Sequence, residues 1–345
     1  MNWPKEVLNV SPWKESVPPR RILAIRLQAF GDTVITLPWL SGLKEQFPNV
    51  KIDFLILEKN AELPRNLALF NTVYGLKGPV ARLQFLYANL ILPALFFNRY
   101  DIVIDLQRNR ISRWVRFWLF PASWCEIERF SKSLAGEKFK NAIEAIGFKN
   151  IEIPSQLKLK EDPSERILMS HGWNGVDKLI VLNPAGGFVT RNWPLEYYIS
   201  FVNDFLEHND PNSKILFLGT DRLMEKAEMI SSAVKRGKVI NLVNQLTPSE
   251  SFAVLKRAHL VVTEDSGLMH MAWVQRVPTV ALFGASPSYW SSPMGAWTKC
   301  LNSSDLACGN CCSDICQFGD VRCLTRFHPG QVFEEAQKLL ESLRI

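Results

Sequence analysis

Long hydrophobic runs are scarce in this sequence. The longest apolar stretch, LQFLYANLILPALFF at 83–97, has 15 residues and is broken by Asn89 and Pro93, short of the ~20 a membrane-spanning helix needs. It reads as a buried or half-buried helix, with an interfacial, membrane-touching helix as the alternative. The opening MNWPKEVLNVSPWKESVPP has no continuous apolar segment, which argues against a secretory signal. Its Pro4, Pro12, Pro18 and Pro19 suit an N-terminal arm over 1–20, and a cytoplasmic protein is expected. The dinucleotide fingerprint GxGxxG is missing after the first strand, where Gly31 stands alone. No nucleic-acid module is recognisable, so no nucleic acid is an expected partner.

What is present is an ordinary globular composition, 47% apolar and 21% charged, and 345 residues, enough for two domains. The net charge of +6 is uneven: residues 1–165 carry 23 Lys/Arg against 17 Asp/Glu, and 166–345 carry 17 of each. The excess is densest at Arg99, Arg108, Arg110, Arg113 and Arg116. This row is either a solvated helix face or a surface for anionic lipid or phosphorylated substrate; Arg108, Arg110 and Arg113 are the acceptor-side candidates.

Short continuous apolar runs alternate with helical patterns. RILAIRL (21–27), KIDFLIL (51–57) and DIVIDL (101–106) read as strands buried on both faces, separated by helices at 79–99, 110–120 and 133–147. After a polar stretch at 157–178 the rhythm restarts with LIVLNP (179–184), KILFLG (214–219), KVINL (238–242), HLVVTED (259–265) and TVALFG (279–284). Thr247, Pro248 and Glu250 form a capping box that opens a helix, and GQVFEEAQKLLESLRI (330–345) closes the chain as an amphipathic helix. The expected fold class is α/β, two Rossmann-like domains with parallel sheets facing across a cleft. The expected divisions are the arm, 21–165, 166–328 with a Cys-rich segment at 300–323, and the helix 329–345.

Open α/β sheets bind ligands beyond the C-terminal ends of their strands, and three unusual segments fall there. In QAFGDT (28–33), Asp32 is either a helix cap or a base for an attacking hydroxyl. In NPAGGFVTRNWP (183–194), backbone amides of the glycine turn, Thr190 and Arg191 suit phosphate oxygens. In EDSGLMH (264–270), Asp265, Ser266, Gly267 and His270 surround a helix N-terminus, an anion site or simply a capped helix. His270 has no partner at i±4 that would make it a zinc ligand.

Together these segments resemble the glycosyltransferase family 9 enzymes, the ADP-heptose:lipopolysaccharide heptosyltransferases. The matching blocks are RILAIRLQAFGDTVITLP (21–38), YDIVIDLQRNRIS (100–112), NPAGGFVTRNWPLEYY (183–198) and LVVTEDSGLMHMAWVQRVPTVALFG (260–284). The resemblance implies a GT-B fold with acceptor on the first domain and nucleotide-sugar on the second, and an inverting transfer that needs no metal cofactor. It implies Asp32 as catalytic base, Arg191 in place of a phosphate-neutralising lysine, Asp265 in the donor site, and Ser266, Gly267 and His270 in the phosphate-binding turn. It also implies that the C-terminal helix can cross back to the first domain. Implied partners are ADP-heptose, a lipopolysaccharide core or other glycolipid acceptor, and the cytoplasmic face of the inner membrane. Arg191, Leu268 and Ala285-Ser286 depart from the family pattern, which leaves room for another GT-B transferase or epimerase, or a non-catalytic nucleotide-sugar-binding paralogue.

Five of the seven cysteines lie within CGNCCSDICQFGDVRC (308–323). Cys308, Cys311, Cys316 and Cys323 give the outline of a small metal loop, though not a standard zinc pair of CxxC units. Structural zinc or iron, thiols and disulfides are the alternatives, and none makes the cysteines catalytic.

Overall fold

The structure is a computed structural model and describes residues 8–128, 133–153, 156–208, 212–235 and 237–343. The start of the expected arm, 1–7, lies outside them. The chain forms two compact units, Met1–Lys160 and Glu161–Ile345.

In the first unit, strands β1 (Asn9–Ser11), β2 (Arg21–Ile25), β3 (Lys51–Leu57), β4 (Thr72–Leu76), β5 (Ile102–Asp105) and β6 (Ser123–Glu126) form one sheet, ordered β1-β6-β5-β2-β3-β4. Its helices are α1 (Phe30–Gln46), α2 (Glu62–Asn66), α3 (Ala81–Phe97), α4 (Arg110–Leu119) and α5 (Ala135–Glu144). The pairs are parallel except β1, which runs antiparallel to β6. So part of the proline-rich arm is an edge strand. The half-exposed β4 and the short β6 lack the long apolar run that marked β2, β3 and β5 in the sequence.

In the second unit, β7 (Leu179–Asn183), β8 (Lys214–Phe217), β9 (Val239–Asn241), β10 (Ala258–Glu264), β11 (Thr279–Leu282) and β12 (Thr298–Leu301) are all parallel, ordered β12-β11-β10-β7-β8-β9. Around them lie α6 (Ser164–Ser170), α7 (Leu195–His208), α8 (Met224–Ala233), α9 (Pro248–Leu255), α10 (Gly267–Val274), α11 (Ser288–Ser291), α12 (Arg322–Thr325) and α13 (Pro329–Ser342). The capping box holds: Thr247 Oγ1 accepts the Glu250 amide at 3.2 Å, and Glu250 accepts the Thr247 amide at 2.9 Å. The C-terminal helix, which the resemblance allows to cross back to the first domain, contributes to the core of the second unit. Val332, Ala336, Leu339 and Leu340 of α13 join the core formed by Phe201 and Phe205 of α7 and Val280 of β11.

Both sheets share one topological property. Leaving aside the edge strand β1, each starts from a central strand, β2 or β7, adds two strands to one side, then crosses to the other side with β5 or β10. Helices cover opposite faces on either side of that reversal, so the loops leaving the two central strands diverge and open a crevice at their C-terminal ends.

The reading of 83–97 as a half-buried helix holds: Phe85, Tyr87, Ile91 and Leu92 pack against the core that Ala88 and Leu95 enter, and the opposite face is open. Only Ala88 and Leu95 of α3 are buried, and Leu83, Leu86, Leu90, Phe96 and Phe97 are exposed. No helix among the described residues is long and apolar enough to cross a membrane.

Candidate active site

The reversal in the first unit lies between β2 and β5, which end side by side, with Ile25 opposite Asp105. The chain leaving β2 turns into α1 under the control of Gln107, whose Oε1 accepts the Leu27 and Gln28 amides at 2.9 and 3.1 Å. Ala29 is the N-cap, with no side-chain acceptor of its own. Asp32, three residues on, supplies that missing acceptor and takes the Ala29 amide at 3.3 Å. The same Oδ2 is 2.5 Å from Arg26 Nη2. Arg26 is buried and donates through Nη1 to the Leu106 carbonyl at 2.5 Å, so the pair is anchored from beneath. The Asp32 side chain keeps 39% of its surface exposed. It is therefore a fixed carboxylate with an open side beyond the C-terminal end of β2, although it also assists the helix start. Lys138 lies near enough to feel its charge, while burial pushes the Lys138 ammonium below its ordinary range.

The arginine row divides in two: Arg99 and Arg110 are exposed, and the other three share one carboxylate. Arg108 Nε, Arg113 Nη2 and Arg116 Nη2 converge on the buried carboxylate of Glu126 at 3.4, 2.9 and 2.8 Å. Burial pushes Glu126 up, but these guanidiniums outweigh it and hold the carboxyl below its ordinary range. Of the acceptor-side candidates, Arg108 and Arg113 thus share Glu126 with Arg116, three guanidiniums on one carboxylate, and the Arg113 side chain stays about half open to solvent. Arg110, the first residue of α4, is exposed.

In the second unit the reversal lies between β7 and β10. The loop leaving β7 is held down by Glu264, the last residue of β10. Its Oε2 accepts the Gly186 amide at 2.5 Å, and its Oε1 accepts the Trp193 amide at 2.6 Å and the Tyr198 hydroxyl at 3.3 Å. Burial pushes the Glu264 carboxyl up to about 7, against the pull of Lys226 and the two amides. Lys226 itself donates to the Pro184 carbonyl and Asn192 Oδ1 at 2.9 and 2.6 Å. Glycine is required at 186, because a Cβ there would stand 2.4 Å from the Arg191 carbonyl oxygen and 2.8 Å from Glu264 Oε2.

This clamp presents Arg191, whose Nη1 is 3.4 Å from Asp265 Oδ2; Asp265 Oδ1 accepts the Ser291 hydroxyl at 3.1 Å. Both side chains of the ion pair are partly open to solvent. Ser266 is the N-cap of α10, accepting the Met269 amide at 3.2 Å and donating to Asn183 Oδ1 at 2.8 Å. Gly267 begins the helix, and His270 is buried in its first turn. Thr190 is a correction: it is buried and its hydroxyl donates to the Ser313 carbonyl at 2.6 Å. It ties the loop to the Cys-rich segment and does not present its hydroxyl to a ligand.

Cys308, Cys311, Cys316 and Cys323 line one cavity of about 230 Å³ together with Thr190 and Ala285, and all seven cysteines are thiols. Among the described residues, no group of three or more His, Cys, Asp or Glu side chains is placed to hold a metal.

Sequence reasoning missed Arg26, Gln107, Asn183 and Glu264. The Glu264-Asp265 doublet was the available signal: of two adjacent acids ending a buried strand, alternation turns one inward.

Two doubly wound units, each carrying polar groups at its reversal point, are the architecture of the GT-B fold. Residues 112–322, more than half of the chain, match the model of Glycosyltransferase family 9 (heptosyltransferase), and the chain belongs to that family. It is 25% identical over 320 residues to lipooligosaccharide heptosyltransferase 2 of Campylobacter jejuni, covering 90% of this chain and 96% of the relative. Its fold is similar to that of a family 9 glycosyl transferase from Veillonella parvula, with a TM-score of 0.79 and 21% identity over 94% of this chain and 98% of that one. It is also similar to E. coli ADP-heptose lps heptosyltransferase II, with a TM-score of 0.74 and 18% identity over 94% of this chain and 100% of that one.

Proposed function

We propose that this glycosyltransferase moves heptose from ADP-heptose to a lipopolysaccharide inner-core acceptor, with inversion and without a metal. The observation that carries the reading is Asp32, a half-open carboxylate fixed by Arg26 beyond the C-terminal end of β2. In the proposed step its carboxylate takes the proton of the acceptor hydroxyl. That oxygen bonds to the anomeric carbon from the face opposite the leaving group, and the bond from that carbon to the diphosphate oxygen breaks. The electron pair leaves with ADP, so negative charge grows on the diphosphate.

Charge developing on a leaving group is stabilised by oriented donors that need no reorganisation. Arg191 and the unsatisfied amides at the start of α10 are such donors, and the Glu264 clamp keeps Arg191 in place. Asp265 competes for Arg191 until the diphosphate arrives. The donor is proposed from the E. coli enzyme named for ADP-heptose. A lipid-anchored acceptor also implies peripheral contact with the cytoplasmic face of the inner membrane.

The test pairs Asp32→Asn with two assays. Transfer from ADP-heptose is expected to fall about 10²–10⁴-fold, the usual worth of a general base, while calorimetric ADP binding is retained. Unchanged transfer would reduce Asp32 to a helix-start residue. A preference for UDP or GDP over ADP would keep the class and discard heptose.

A further inference from the structure

The α3–α4 face of the first unit is the largest feature that the transfer reading leaves unused. In α3, Leu83, Leu86, Leu90, Pro93 and Phe97 are exposed, a spacing of three and four residues that puts them on one stripe. Phe97 is 80% exposed and Leu90 73%. In α4, Arg110, Arg113 and Phe117, with Phe120 just past the helix end, form a second exposed stripe at the same spacing. The two helices are locked together: the Phe85 and Trp114 rings are 5.4 Å apart, and Trp114 Nε1 donates to Asn89 Oδ1 at 3.1 Å. Trp118 continues the surface, 5.5 Å from Trp114 and 5.7 Å from Phe117.

A stripe of this kind in a soluble protein is normally turned to the core. Here the inward side of α4 is already filled by Ile111, Val115 and Leu119, so the outward residues are surplus to folding. The charge is one-sided as well. Segments 78–100 and 106–125 contain no Asp or Glu, while Arg82, Arg99 and Arg110 are exposed within them.

We propose that this face seats the enzyme on an anionic lipid bilayer, with Leu90, Phe97, Phe117 and Trp118 entering the headgroup–acyl boundary and Arg82, Arg99 and Arg110 meeting lipid phosphates. Exposed Trp and Phe flanked by arginine, on a helix too short to span, is the composition of an interfacial contact. A two-fold contact with a second copy would bring arginines against arginines, whereas a phosphate-bearing surface neutralises them. The proposal sharpens the peripheral contact suggested above. It rests on side chains that take no part in the transfer chemistry, so it can fail while that reading stands.

The test is co-sedimentation of the full chain with vesicles of phosphatidylglycerol and phosphatidylethanolamine, compared with pure phosphatidylcholine, with no sugar donor or acceptor present. Partition is expected to favour the anionic vesicles at least tenfold and to weaken as salt screens the arginines. The double change Phe97→Ser and Phe117→Ser should lower it more than tenfold, and Arg82→Glu should lower it while leaving transfer to a short water-soluble acceptor intact. Because these side chains are solvent-exposed, folding is checked by an unchanged thermal midpoint. Partition indifferent to anionic lipid, or unaltered in the variants, overturns the proposal. So does a lipid-free dimer abolished by the same double change, which would assign the face to a second copy.

Discussion

The carboxylate of Glu264 accepts the backbone amide of Gly186 at 2.5 Å, and this one contact ties the tip of β10 to the loop that carries Arg191. Removing it strands buried donors. Each buried amide left unsatisfied costs about 1–3 kcal/mol, and Glu264→Ala strands those of Gly186 and Trp193. The thermal midpoint should fall, and ADP affinity should drop about tenfold or more as the loop loosens. Gly186→Ala should weaken ADP binding similarly, because its Cβ meets the Arg191 carbonyl. Calorimetry on both variants checks this; unchanged ADP affinity in a folded Glu264→Ala protein would make the clamp purely architectural.

Arg191 has a different signature. If it stabilises charge that grows on the leaving diphosphate, Arg191→Ala should lower kcat by about 10²–10³-fold, with a smaller rise in KM. Arg191→Lys keeps the charge but loses the forked geometry, and should recover part of kcat. A change confined to KM would mean that Arg191 binds the donor without favouring the transition state.

The central strands and the loops after them were legible because a strand buried on both faces leaves an unbroken apolar run, and polar residues at its end stand out. RILAI and LIVLN announced β2 and β7 in this way. TVYGL and SWCE did not announce β4 and β6: β4 is an edge strand of half-exposed residues, and β6, though interior, is only four residues long with Ser and Glu at its ends. Candidate residues visible by type, such as Asp32, Arg191 and Asp265, could be named from the sequence; those acting through burial could not. The Glu264-Asp265 doublet says that one acid turns inward but not which, and nothing in the sequence says that Arg108, Arg113 and Arg116 share Glu126, because that depends on which strands lie side by side. Which residues of the half-buried α3 stay outside was hidden for a related reason: a helix apolar on both faces does not say which face points outward.

Asp105 makes the pH dependence of stability testable. It is fully buried beside Glu126, and burial pushes its carboxyl up to about 6, against the amides of Arg108 and Gln107. A raised acid holds its proton in the folded protein at a pH where the unfolded chain has released it. Its contribution to stability is therefore present at low pH and lost as pH rises from about 4 through about 6. Glu264, pushed up to about 7, has the same sign. Asp105→Asn keeps the acceptor for both amides and cannot ionise. Relative to wild type it should gain more stability at pH 7 than at pH 4.5, by on the order of 2 kcal/mol. Urea unfolding at the two pH values checks this, and an equal difference at both would remove Asp105 from the pH response.

The cysteine loop offers an ordering of reactivities. Burial raises Cys316, but backbone amides of Phe318, Gly319, Asp320 and Val321 outweigh it and hold the thiol below its ordinary range. Burial pushes Cys323 up to about 11 and Cys300 up to about 12. The thiolate is the reactive form, so iodoacetamide at pH 7 should label Cys316 first and Cys300 and Cys323 at least tenfold more slowly, as read by peptide mass spectrometry. The same protein decides the structural-metal proposal. A zinc or iron drawn into a closed loop would give about one equivalent by elemental analysis, and Cys316 would react only after chelation. Less than about 0.2 equivalents, with Cys316 labelled at once, would leave the loop as an arrangement of thiols whose described role is to receive the Thr190 hydroxyl at Ser313 and so brace the loop that carries Arg191.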